Sequence, residues 1–171
     1  LKKENVNALK KGLVNLERHI NNIKKFGVEP VVAINHFVLD TKNEINIISN
    51  FCNNLGVEVS ECTHWANGGK GTKDLAKKVV KICKKSKKNN FKFLYNEKDS
   101  LWNKIEKIAK EIYKASKITA DEIIKKELIK FEENGYKKLP VCIAKTQYSF
   151  SVDPKLKGAP SGHEIPIREV R

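Results

Sequence analysis

Few stretches of this chain have residue types and spacing suited to chemistry. The first is Asn35, His36 and Phe37, at the end of the run VVAIN over 31–35. A continuous apolar run reads as a buried strand. In an open α/β sheet, ligands bind outside the carboxyl ends of parallel strands. Phe37 is therefore placed where a ring could meet a ligand, and Asn35 beside it is a candidate polar contact. Trp65 follows the next apolar run, 57–60, in an equivalent position. A second grouping is Lys145, Thr146 and Gln147, at the end of the run LPVCIA over 139–144. Lys145 and Gln147 are polar site candidates on that ground. A third is the glycine-rich WANGGKGT over 65–72. Its glycines permit φ > 0 and close backbone approach. Such turns between strand and helix often cradle phosphate. The pattern G-x-x-x-x-G-K-[ST] is absent from the chain, so an ordinary loop-to-helix turn serves equally well.

Other chemistries find little support. Cys52, Cys62, Cys83 and Cys142 form no C-x-x-C pair. They read as buried free thiols of a reducing compartment. His19, His36, His64 and His163 show no metal-binding spacing, and no metal site is expected. No paired carboxylate or Ser/His constellation appears, so no catalytic residue is assigned.

The elements that must position these groups follow from periodicity. Val6, Leu9, Leu13, Leu16, Ile20 and Ile23 mark a helix ending near Gly27. A strand over 28–34 follows. Thr41 and Glu44 form a capping box for a helix with Ile45, Ile48, Cys52 and Leu55, closed by Gly56. Residues 57–60 make a second strand. A helix over 73–85 places Leu75, Ala76, Val79, Val80 and Cys83 on one side. Residues 84–90 are the best internal boundary. Beyond it come a strand over 91–95 and a helix capped by Asp99 or Ser100. Trp102 lies beside that helix's stripe as packing. A second capping box at Thr119–Glu122 starts a helix that ends at Gly135. Strands over 139–144 and 164–170 enclose a Pro/Gly loop at 153–162. The expectation is an α/β fold with a mostly parallel sheet flanked by helices, a P-loop/Rossmann-like half followed by a smaller α+β lobe. The domains are 1–90, carrying the two aromatics, and 91–171, truncated at its C-terminus.

The 171 residues carry a net charge of +14. Of the 34 basic residues only Arg18, Arg168 and Arg171 are arginine. Lysines spread along every helix, without interleaved aromatics, describe solvated faces and argue against nucleic acid. No apolar run nears the roughly 20 residues of a membrane helix, and no signal peptide is read at the start. A cytoplasmic protein is expected. The lack of any Met suggests a piece cut from a longer protein.

Two features are similar to the later half of P-loop nucleotide-binding proteins. One is a strand ending in Asn35 with Asp40 beyond; the other is Ser60 before a glycine-rich helix start. The Asn-to-Asp spacing differs from the Asn-Lys-x-Asp of GTPases, which argues against guanine recognition. A fuller match lies elsewhere. VVAINHF at 31–37, WANGG at 65–69, PVCIAKTQYSFS at 140–151, LKKGLVNLERHI at 9–20 and DPKLKGAP at 153–160 resemble formate–tetrahydrofolate ligase. The resemblance runs along all 171 residues. It implies ATP-dependent joining of formate to N10 of tetrahydrofolate through formyl phosphate, with Mg²⁺ and a monovalent cation. It implies tetrahydrofolate, with or without a polyglutamate tail, formate and ATP as partners, and a homo-oligomeric intact enzyme. It also implies that Phe37 and Trp65 hold the folate pterin between them. The family's phosphate-binding loop has no counterpart here, so the piece alone is expected to be inactive. Nucleotide-contacting residues stay open, with the Pro160–Gly162 turn as a candidate for adenine. The alternative is a non-catalytic basic α/β module for nucleic acid or a protein partner.

Overall fold

The computed structural model describes residues 3–85, 90–144 and 150–171. The chain divides into two compact units, Leu1–Lys92 and Phe93–Arg171.

The first unit begins with α1, Val6–Lys25. Asn5 caps it, its side-chain oxygen accepting from the Ala8 amide, and Lys24 and Lys25 sit favourably in the last turn. Gly27 has φ +76°, and a Cβ there would lie 2.1 Å from the Asn90 carbonyl oxygen. Only glycine fits. Strand β1, Val31–Asn35, pairs in parallel with β2, Glu58–Cys62. The register runs from Val31 opposite Glu58 to Asn35 opposite Cys62. A parallel pair needs a crossover connection. Here it is α2, Lys42–Asn54, which starts at the expected capping box: Thr41 and Glu44 bond each other's backbone. Glu44 also accepts from the Asn5 amide at 3.0 Å, tying the starts of α1 and α2 together. Ile20, Cys52 and Val57 are the buried centre, with Leu16, Val32, Ile48, Leu55 and Val59 packed around them. After β2 come the short helix α3, His64–Asn67, a 3₁₀ turn Gly68–Thr72, and α4, Lys73–Lys85.

The second unit holds α5, Leu101–Glu111, β3, Lys117–Thr119, α6, Glu122–Glu133, and β4, Glu164–Pro166. β3 and β4 form a second parallel pair. Leu101, Ile105, Ala109, Ala115, Ile118, Ile124 and Leu128 are its core, and Trp102 packs on it as expected. Ser100 is the α5 cap.

The α/β class and the parallel pairing agree with the sequence, but several expectations do not hold. β1 is not a buried strand: Ala33 and Asn35 are exposed, and among the described residues β2 is its only hydrogen-bonded neighbour. Residues 91–95 and 139–144 are not strands. Ring stacking and bonds outside any sheet hold them instead; the Lys92 amide donates to the Phe26 carbonyl at 3.0 Å. Phe91 stacks on Phe26 at 5.9 Å, and Phe93 on Tyr95 at 6.1 Å. The Val141 amide donates to the Tyr95 hydroxyl, and the Leu139 carbonyl accepts from Lys104. The strand expected over 164–170 is only three residues long. No capping box starts α6: Thr119 belongs to β3, and Asp121 is the cap, accepting from the Ile124 amide at 2.9 Å. In α4, Leu75 is half-buried whereas Val79, Val80 and Cys83 are exposed. Only two thiols are buried, Cys52 and Cys62; Cys83 and Cys142 are exposed. Among the described residues, no helix is long and apolar enough to cross a membrane.

Candidate functional site

The parallel register places the site residues. Asn35 and Cys62 are the last pair of β1 and β2. Phe37 lies two residues beyond the first strand, and Trp65 three beyond the second. Both therefore leave from the carboxyl edge of the pair, the edge where α/β folds gather ligands. Neither ring is covered: Phe37 is 58% exposed and Trp65 79%. Neither ring is therefore part of a buried core. Val38 and Leu39, at 90% and 63%, extend the apolar rim next to Phe37. Asn35 is exposed at the same edge.

The backbone around Phe37 is held by polar bonds. The His36 amide donates to the Cys62 carbonyl at 3.0 Å. The Phe37 amide donates to Asp40 Oδ2 at 2.9 Å, and the Asp40 amide returns to the Phe37 carbonyl at 3.0 Å. Asp40 thus closes a turn; it does not face outward as a base-reading acid. His36 Nδ1 lies 2.6 Å from Glu61 Oε1.

Trp65 stands on α3, between β2 and the glycine-rich turn. Gly68 has φ +54°, the left-handed conformation that favours glycine. Gly71 serves a different purpose. Its amide region lies against the Thr63–His64 backbone, where a Cβ would come within 2.5 Å of the Thr63 carbonyl carbon. The Thr63 amide donates to the Gly71 carbonyl at 3.1 Å, closing the turn. Thr63, Ala66, Asn67, Gly69, Lys70 and Gly71 line an open hollow there. The turn leads into α4, which is fastened to β2. The buried Ser60 hydroxyl donates to Asp74 Oδ2 at 2.7 Å. The Lys78 ammonium donates to the same oxygen at 2.5 Å and to the Val59 carbonyl at 2.7 Å. Lys78 first, then the Ser60 hydroxyl, holds the Asp74 carboxyl below the usual aspartate range.

Asn35, Phe37 and Trp65 are thus brought to one edge. Lys145 and Gln147 lie outside the described residues. The Pro160–Gly162 turn is in the second unit, where the Gly162 amide donates to the Lys114 carbonyl at 2.8 Å. The sequence reading missed the His36–Glu61 pair. Only the register shows it: with Ile34 opposite Glu61, His36 falls diagonally from Glu61 on the same face. It also missed Lys104, which reads as one more surface lysine but is fully buried. Its ammonium donates to the carbonyls of Lys137 at 2.6 Å and Leu139 at 3.1 Å, and sits 5.7 Å from the Tyr95 ring centre. No group of three His, Cys, Asp or Glu able to hold a metal occurs among the described residues.

The family model described as formate–tetrahydrofolate ligase matches residues 1–171. The formate–tetrahydrofolate ligase of Pelagibacter ubique (strain HTCC1062) is 58% identical over the whole chain, which covers 30% of that relative. Those of Sinorhizobium fredii (strain NBRC 101917 / NGR234) and Zymomonas mobilis subsp. mobilis (strain ATCC 31821 / ZM4 / CP4) are 52% and 50% identical over the whole chain, covering 30% and 31% of them. The chain therefore spans about a third of the length of these relatives. With every residue inside the family model, the chain belongs to the formate–tetrahydrofolate ligase family.

Proposed function

We propose that this chain supplies the pterin-binding part of an ATP-dependent ligase that joins formate to N10 of tetrahydrofolate through formyl phosphate. The observation that carries the reading is the pair of uncovered rings, Phe37 and Trp65, at one carboxyl edge of β1–β2. A pterin is flat and fits between two aromatic faces. Each face contributes about 0.5–1.5 kcal/mol beyond the area it buries. Asn35 offers both a donor and an acceptor to the heterocycle's edge. The rings hold the pterin and exclude water from its faces.

The residues here do not fit the remaining components. The phosphate-binding sequence is absent from the chain, and no metal cluster occurs among the described residues. We therefore derive no step through Mg²⁺, a monovalent cation or the ATP phosphates. Family membership supports formate, ATP and tetrahydrofolate as substrates of the whole protein, and on the resemblance we place it in the cytoplasm as a homo-oligomer. The first unit is taken as a P-loop/Rossmann-like half, on its parallel pair with a helical crossover.

The test is production of 10-formyltetrahydrofolate from formate, ATP and tetrahydrofolate. The full-length protein containing this chain is expected to make it, and this chain alone is not. Product from the chain alone, or none from the full-length protein, contradicts the proposal.

A further inference from the structure

Phe37 poses a physical problem. A ring that is 58% exposed, followed by Val38 at 90% and Leu39 at 63%, has almost no packing to fix its position. A stacking site that must wait for its ring to settle loses affinity to ordering. Something other than packing must hold it.

We infer that the His36–Glu61 pair is a positioning device that sets the gap between Phe37 and Trp65; this rests on the pterin reading above. The pair lies where it can do so. His36 immediately precedes Phe37. Glu61 is the next-to-last residue of β2, from which the chain passes through Cys62 and Thr63 to Trp65. His36 is fastened twice to that strand end: its amide donates to the Cys62 carbonyl at 3.0 Å, and its ring nitrogen meets Glu61 Oε1 at 2.6 Å. Facing a carboxylate, which only accepts, Nδ1 is the donor. The ring bond reaches from His36, one residue past the end of β1, back to Glu61, which lies within β2 opposite Ile34. Beyond it, Asp40 grips the Phe37 amide at 2.9 Å from the turn side. The ring's backbone is thus clamped from the strand and from the turn. Both partners are half-exposed, with side-chain exposures of 31% and 43%, so a core role does not account for them. Neither needs to touch substrate; each acts through the ring it steadies.

The test uses the full-length protein. Its readouts are KM for tetrahydrofolate, KM for ATP, kcat, and the thermal midpoint. His36→Leu and Glu61→Leu are each expected to raise KM for tetrahydrofolate about tenfold, with kcat and KM for ATP within about twofold, the size that loss of orientation produces. The double variant should be no worse than either single, because one bond is lost in all three. His36→Asn, whose amide nitrogen can replace Nδ1, and Glu61→Gln, which keeps an acceptor, should restore most of the affinity even where the leucine variants fold poorly. An unchanged KM in His36→Leu, additive losses in the double variant, or equal rises for tetrahydrofolate and ATP would overturn the inference. Phe37→Ala separates this from the parent reading. If it weakens tetrahydrofolate and His36→Leu does not, only the positioning role fails. If Phe37→Ala and Trp65→Ala both leave KM unchanged, the pterin site itself is wrong.

Discussion

Phe37 and Trp65 have little structural use. Phe26 with Phe91 and Phe93 with Tyr95 stack in pairs and Phe131 meets Tyr136 at a tilt, whereas these two stand open at a strand edge. Removing either ring should therefore cost affinity rather than fold. Phe37→Ala and Trp65→Ala are each expected to weaken tetrahydrofolate at least about tenfold, since roughly 1.4 kcal/mol is a factor of ten and a stacked ring with its buried area supplies more. The thermal midpoint should move little; titration calorimetry and a melting curve check both halves. Their placement was legible because an apolar run followed by an aromatic is a local signal. Glu61 was not legible, because its role depends on the register between two strands 25 residues apart. Lys104 shows the same limit. Its burial is decided by carbonyls more than 30 residues away. Lys104→Met would leave both carbonyls without their donor, and about 2 kcal/mol of stability should be lost in urea unfolding.

At the scale of elements, helices were read well and strands poorly. A helix carries its hydrogen bonds within one segment, so caps and stripes give it away; Thr41, Ser100 and Gly135 all served as expected. A strand needs a neighbour, and the sequence does not say whether one is there. Residues 139–141 have strand composition, yet Lys104 and Tyr95 take their backbone groups. The glycine-rich turn makes a sharper prediction. Gly71→Ala forces a Cβ into the Thr63–His64 backbone and should cost about 1–3 kcal/mol, displacing Trp65 with it. Gly69→Ala, where a Cβ meets nothing within 4 Å, should be nearly silent. The α4 anchor gives a pH dependence. Asp74 is held below its usual range by Lys78 and Ser60. Its folded-state pKa is thus lower than its unfolded one, so its stabilising contribution is present above the unfolded value and lost as pH falls through the folded one. Asp74→Asn should flatten the acid limb of a stability-versus-pH curve and leave the alkaline limb alone.

At the scale of the whole molecule, charge turned out to say little. Lys78, Lys81, Lys110, Lys117 and Lys125 each pair with a nearby carboxylate, scattered over both units. Nucleic-acid binding that falls steeply with salt would support the alternative of a basic binding module, whereas the ligase reading expects no such binding. The family, in contrast, was legible from strings such as PVCIAKTQYSFS, which no periodicity argument could have supplied. The most direct measurement is tryptophan fluorescence of the full-length protein titrated with tetrahydrofolate, set beside Trp65→Ala. Trp102 packs against the second unit's core and gives a constant background within this chain. The account predicts saturable quenching that Trp65→Ala abolishes. Quenching that survives Trp65→Ala unchanged, or no response in either protein, would contradict it.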